Sequence, residues 1–220
     1  MSTARGAARR TYDNRRRRAD AEARQRKIVD AATTLFVAQG FARTSIDQIA
    51  ATAGVSPQTV YATYGSKAAV LSRAIDVAVV GDYEAVSLAD RMPELADTSR
   101  EQRRLHFANA ARFVRELHER VAPLIRVMEH AAAADPGLAE LRSRLLREIR
   151  ADCAVWVGQL GRARRPGLTK AQAADVMVTI QSPTIYSMLT VDLGWTPQQY
   201  ERWLAHALPH MLLRPELLSG

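Results

Sequence analysis

The chain has 220 residues, 47% of them hydrophobic, with 31 Lys and Arg against 23 Asp and Glu, a formal net charge of +8 and a pI near 10.2. That is enough apolar material for one sizeable core, and no apolar run approaches the roughly 20 residues of a membrane-spanning helix, so a soluble, cytoplasmic protein is expected. The single cysteine, Cys153, excludes an internal disulfide, and the arginine-rich start lacks the apolar segment of a secretory leader.

Much of the positive charge lies at the front. Residues 1–23 form a basic arm in which Arg5, Arg9, Arg10, Arg15, Arg16, Arg17 and Arg18 face only Asp13, Asp20 and Glu22 as counter-charges. With little to bury, the arm is expected to be disordered until it meets a polyanion; the alternative is a solvated tail. From Ala21 onward Ile28, Ala31, Ala32, Leu35 and Phe36 recur at helical spacing and predict a first helix, which Gly40 stops.

The next segment predicts two short helices about a tight turn. Thr44 or Ser45 caps the first, with Asp47 or Gln48 in its opening turn, and Ile46, Ile49, Ala50 and Ala53 face inward. Gly54 supplies the left-handed residue that ends it, Val55 plugs the turn, and Ser56 caps a helix whose first position is Pro57. Val60 pins that helix against its neighbour, leaving Ser56, Gln58, Thr59, Tyr61, Thr63 and Tyr64 as hydrogen-bonding groups on its start and outer side. This is a helix-turn-helix, whose second helix reads base edges from the major groove. Ser66 caps the following helix, and its N-terminal amides with Lys67 suit a backbone phosphate.

The stretches "RQRKIVDAATTLFVAQGFARTSIDQIA" and "ATAGVSPQTVYATYGSKAAVL", residues 24 to 71 without insertion, resemble the N-terminal domain of the TetR family of bacterial transcriptional regulators. The resemblance rests on a Gly after an "LF" helix, a hydroxyl pair before the second helix, the "IA…AGVS" turn, a Tyr in the recognition helix and a Ser-Lys opening the next. Two positions depart from it: Tyr64 replaces the more usual Phe, and Ala68 a frequent Glu. It implies a DNA-binding domain over residues 24–70 and a helical regulatory and dimerisation domain over 71–220. Expected DNA contacts are Thr44, Ser45, Ser56, Pro57, Gln58, Thr59, Tyr61, Tyr64 and Lys67, joined by Arg15, Arg16, Arg17 and Arg18 of the arm. The alternative, that the ring closes the small domain's core, stands level with DNA contact for Tyr64 and is the weaker reading for Tyr61.

Beyond Lys67 the pattern stays helical. A Gly81 interruption and the loop "RMPELADTS" precede a fifth helix marked by Phe107, Ala110, Ala111, Val114 and Leu117, a sixth over Val121 to Ala134, a longer one over Leu138 to Gly161, and a last pair over Thr169 to Leu193 and Thr196 to Leu213. By the resemblance, Phe107, Phe113, Met128, Trp156, Met177, Gln181 and Tyr186 surround an inducer pocket, although a core has use for the same side chains. The last two helices look like the pair that forms a four-helix dimer interface, with Ile185, Leu189, Trp203, Leu208 and Leu212 as contacts.

Catalytic chemistry finds little support. His206 and His210 have zinc-compatible spacing, but Pro209 interrupts them and no third ligand is near. Cys153 shares a stripe with Trp156, Val157 and Leu160 and reads as a structural thiol. The expectation is therefore an all-α, homodimeric regulator without cofactor, metal or enzymatic activity, which represses from a palindromic operator in double-stranded DNA and responds to a small-molecule effector. The competing reading is a ligand-independent, low-specificity DNA binder driven by the arginine arm.

Overall fold

The computed structural model describes residues 3–80 and 99–218, with side chains from Arg16 onward. Gly81, the loop residues 91–98 and the Arg15 side chain lie outside the described residues. Among the described residues nine α-helices follow in order: α1 (Thr3–Arg43), α2 (Ile46–Ala53), α3 (Pro57–Tyr64), α4 (Lys67–Val80), α5 (Arg100–Ala131), α6 (Pro136–Gly158), α7 (Lys170–Ile180), α8 (Pro183–Ser187) and α9 (Pro197–Leu212). Among the described residues the only extended pairing is an isolated antiparallel bridge between Arg164 and Leu213. The chain divides into two compact units, Met1–Ala74 and Ile75–Gly220, so the boundary lies four residues past the expected one.

In the first unit, α1 reaches far beyond the predicted helix. The arm, expected to lack structure over residues 1–23, is helical from Thr3. Arginine and alanine are strong helix formers, and Arg18 pairs with Glu22 one turn on at 3.2 Å, which outweighs the self-repulsion on which the expectation rested. Gly40, at φ 79° and ψ 171°, breaks the helical path where the sequence placed a stop. Ile28, Ala32 and Phe36 are fully buried, as are Ile49, Val60, Val70 and Leu71, and Phe36 stacks on Phe41 with centroids 5.7 Å apart.

The second unit is a bundle in which α5 packs on α8 and α9, and α6 on α7. Its helix starts are chemically explicit: Ser99 with Gln102, Thr169 with Gln172 and Thr196 with Gln199 form reciprocal capping boxes, and Asp135 caps α6 ahead of Pro136. The predicted fifth and sixth helices are one, α5, because Pro123 is accommodated within it. The predicted helix over Thr169 to Leu193 is instead divided. Ser182 caps a new start at Pro183, and α8 passes into a π-helical turn over Met188–Asp192. Arg115 ties α5 to α9 through Glu201 at 2.6 Å while also holding Glu119 at 2.7 Å. This web keeps the Arg115 guanidinium protonated, and the neighbouring Glu116 carboxyl is held below its usual range first by its hydrogen bond from Arg112.

Candidate nucleic-acid interface and ligand cavity

The reading head is built by two caps and two glycines. Ser45 is the N-cap of α2, its hydroxyl accepting from the Gln48 amide while the Gln48 side chain accepts from the Ser45 amide. Gly54, at φ 67°, ends α2 in the left-handed conformation, and the Val55 amide bonds back to the Ala50 carbonyl at 3.0 Å. Ser56 then caps α3 by accepting from the Thr59 amide at 3.2 Å, with Pro57 at the first helical position. Gly65, at φ 75°, closes α3, and Ser66 accepts from the Ala69 amide to start α4.

These bonds sort the expected contact residues. The Ser56 and Thr59 hydroxyls lie 2.9 Å apart and engage each other, and Thr63 donates to the Thr59 carbonyl at 2.7 Å. Gln58 and Tyr61 are different. Both are exposed, Tyr61 to 54%, and among the described residues neither side chain has a hydrogen-bond partner. Three residues apart on α3, they share one outward face. Tyr64 is half-buried against α1, its hydroxyl 3.5 Å from the Gln25 carbonyl, and burial raises its phenol above the ordinary range. Arg16, Arg17 and Arg18 are exposed along α1.

Two expected phosphate ligands are placed otherwise. Thr44 is 1% exposed, and its hydroxyl donates to the Gly40 carbonyl at 2.8 Å, so it serves the α1–α2 corner. Lys67 turns inward: its ammonium donates to the carbonyls of Phe41 and Thr44 at 2.7 and 2.8 Å and lies 4.1 Å from the centre of the Phe41 ring. Both residues satisfy carbonyls left over where α1 ends, a demand that no linear spacing displays. The sequence reading also passed over Arg43, an exposed cation next to the α2 cap whose Nε donates to the Gln39 carbonyl. Its only linear signal is its place before the hydroxyl pair.

The second unit holds a cavity of about 220 Å³ between the end of α4, the middle of α5, α6 and the Gln181–Pro183 corner. Of the expected ligand residues only Phe113 and Gln181 line it. Met128 and Gln181 line an adjoining cavity of about 170 Å³. Phe107, Trp156, Met177 and Tyr186 belong to the core; Phe107 meets Trp156 edge-on at 5.7 Å and Tyr186 meets Tyr200 edge-on at 4.9 Å. Aromatic and sulfur side chains mark a core and a pocket alike, which is why the sequence could not separate them.

The polar groups on the cavity wall are few. His118 is 3% exposed, with Nδ1 3.3 Å from the Tyr200 hydroxyl, and burial pushes its imidazole down to about 3. It is therefore neutral, and its Nδ1 shares one hydrogen bond with the buried Tyr200 phenol. Gln181 donates to the Cys153 sulfur at 3.1 Å, while its carbonyl oxygen is buried without a hydrogen-bond partner among the described residues. Burial pushes the Cys153 thiol up to about 12, so it is an inert thiol and not a nucleophile.

The expected dimer contacts are also redistributed. Leu189, Leu208 and Leu212 are buried within the protomer's own core, so they are not available to a second copy, whereas Ile185 and Trp203 remain partly exposed. The large apolar side chains left in solvent near them are Met188, Val191, Leu193 and Met211, at 46, 62, 61 and 48%. His206 and His210 stack 4.7 Å apart on α9, which continues through Pro209, and His210 Nδ1 donates to the His206 carbonyl.

Residues 28–74 match the family model described as bacterial regulatory proteins, tetR family. No curated protein matches the chain. Among solved structures, NalD, the secondary repressor of the MexAB-OprM multidrug efflux pump in Pseudomonas aeruginosa, is 19% identical with a TM-score of 0.65, covering 89% of this chain and 98% of that one. A complex of SmeT with triclosan is 18% identical, with a TM-score of 0.66 and coverage of 90% and 95%. A transcriptional regulator from Rhodococcus sp. Rha1 is 17% identical, with a TM-score of 0.63 and coverage of 85% and 95%.

Proposed function

We propose that the chain, whose residues 28–74 match the tetR family model, is a TetR-type DNA-binding transcriptional regulator, an effector-responsive repressor acting as a homodimer on a near-palindromic operator. The observation that carries the reading is on α3. Its hydroxyls are engaged with the helix itself, while Gln58 and Tyr61 stand exposed and uncommitted on one face, where a major-groove helix needs its base-reading groups. Gln58 is suited to an adenine edge, which its amide can address with both donor and acceptor. Ser45 and the exposed arginines supply the phosphate side, which positions the head without reading sequence.

Two copies would meet through the apolar side chains left exposed after the core is filled, Met188, Val191 and Met211 with Ile185 and Trp203. A two-fold protein doubles its contacts on a palindrome, with half-sites about one helical turn apart. The cavity of the second unit is the effector site in this reading, supported by its largely apolar wall with a few polar groups and by the matched SmeT complex with triclosan. Helix α4 is one continuous segment from Lys67 to Val80, and its last residues are part of that wall. An effector lowers operator affinity only if it binds the two states unequally.

Operator selection followed by competition with scrambled DNA tests the reading. Gln58→Ala should reduce the ratio of operator to scrambled affinity about 5- to 150-fold, the range of one bidentate base contact. An equal loss on both DNAs would remove Gln58 from base reading.

A further inference from the structure

The protein is basic, with 31 Lys and Arg against 23 Asp and Glu, yet the cavity of the second unit has the opposite character. Among the described residues no lysine or arginine lines it, while three carboxylates do: Asp76 on α4, and Glu148 and Asp152 one turn apart on α6. Among these, Asp152 has no hydrogen bond or ion pair with any described residue, and burial together with the nearby Glu148 raises its carboxyl above the usual range. A partly buried carboxylate without a counter-charge is costly, and a cation brought into the same space relieves that cost.

Two further polar atoms on the wall have no hydrogen-bond partner among the described residues. His118, nine-tenths buried and more, offers Nε2, its other nitrogen being taken by Tyr200. Gln181 offers its buried carbonyl oxygen. Buried polar atoms in native proteins are nearly always bonded, so a wall that presents an unmet amide oxygen, an imidazole nitrogen and an uncompensated carboxylate around apolar Val79, Phe113, Val121 and Ile149 is shaped for something other than solvent. The space of about 220 Å³ corresponds to roughly seven waters at their liquid volume of about 30 Å³, which sets the size of the guest.

We propose that this cavity selects a small lipophilic cation, an aromatic or branched ammonium compound whose charge is met by Asp152 with Glu148 beside it and whose body fills the apolar wall. The inference rests on the cavity being the effector site and adds the chemical class of the effector. Asp152 is the positioning charge. Glu148, exposed and already 3.6 Å from Arg144, contributes less. Selectivity for charge follows because a neutral guest of the same shape leaves the carboxylate uncompensated, and an anionic one adds a like charge to it.

The test uses the full chain, titrated calorimetrically with three compounds of related shape: phenyltrimethylammonium, its neutral isostere tert-butylbenzene, and the anion 2-methyl-2-phenylpropanoate. The cation should bind at least tenfold tighter than the neutral compound and the anion weakest. Asp152→Asn should bring the cation down to the neutral compound's affinity without changing the latter, with an unchanged thermal melt showing that the variant is folded. Glu148→Gln should reduce the preference only in part. Equal binding of cation and neutral compound, or a preference that survives Asp152→Asn, overturns the charge selection while leaving the effector cavity in place. Binding of none of the three overturns the inference and withdraws support from the effector site as well.

Discussion

Replacing Lys67 with methionine separates two roles that its position allows. If the ammonium is a latch, Lys67→Met removes two hydrogen bonds, to the Phe41 carbonyl at 2.7 Å and the Thr44 carbonyl at 2.8 Å, and a cation–π contact at 4.1 Å, while keeping the apolar stem over the Phe41 ring. Hydrogen bonds from a charged donor contribute about 1.5 to 3 kcal/mol each and the ring contact about 0.5 to 1. The side chain is only partly buried and the three contacts share one ammonium, so the sum is not additive; a loss of about 2 to 4 kcal/mol is the reasonable figure. Amide hydrogen exchange in the full chain, followed on peptides from residues 28–74, should then show protection of α2 and α3 falling about 30- to 700-fold at 1.4 kcal/mol per decade. The salt dependence of DNA binding should keep its slope, because no phosphate loses a ligand. The reasoning fails if protection is unchanged and the slope of log affinity against log salt drops by about 0.9, the signature of one lost phosphate contact.

Three other perturbations reach the remaining parts of the molecule. Deleting residues 1–18 should weaken binding to operator and random DNA alike, flattening the salt slope by up to about 3.6 for four engaged arginines; an unchanged slope would make the arm a solvated extension of α1. Val191→Glu combined with Met188→Glu should yield a folded monomer in sedimentation, whereas Leu208→Glu, at 1% exposure, should unfold the second unit, and a persistent dimer in the double variant would place the interface elsewhere. His118, held neutral with its pKa lowered to about 3, contributes stability that is present above the unfolded value near 6.5 and lost as pH falls from there toward 3. Between pH 6.5 and 4.5 the wild type should therefore lose about 2 to 3 kcal/mol more than His118→Gln, and parallel pH profiles would refute a buried neutral imidazole.

The sequence was most legible where local chemistry alone decides the structure. Ser45 with Gln48, Gly54, Ser56 with Pro57, and Gly65 with Ser66 each carry out at their own position the task their type suggests, because a cap or a left-handed glycine needs only its immediate neighbours. Gly40 is the same kind of signal, and its φ of 79° lies where a stop was expected. Legibility fell where the partner is distant in the chain. Lys67 finds its acceptors 23 and 26 residues away, and Tyr64 reaches back 39 residues to Gln25. The helical period of the second unit was visible, but a stripe of apolar side chains does not say whether it meets its own bundle, a cavity or another copy. Leu189, Leu208 and Leu212 answer the first way, whereas Met188, Val191 and Met211 stay exposed on the protomer.

The same asymmetry bears on function. A base-reading residue must stay uncommitted in the free protein, since any hydrogen bond it makes at home has to be broken at the DNA; α3 meets this condition by engaging Ser56, Thr59 and Thr63 with the helix and leaving Gln58 and Tyr61 free to act. An effector site obeys the same condition in the interior, where an unmet group costs far more than at the surface. Asp152, the Gln181 carbonyl and His118 Nε2 lie on one cavity wall, and what they lack in common is a partner among the described residues. Sequence patterns reveal which groups a chain possesses. Function depends on which of them the fold leaves unsatisfied, and that is decided only when the distant partners have been brought together.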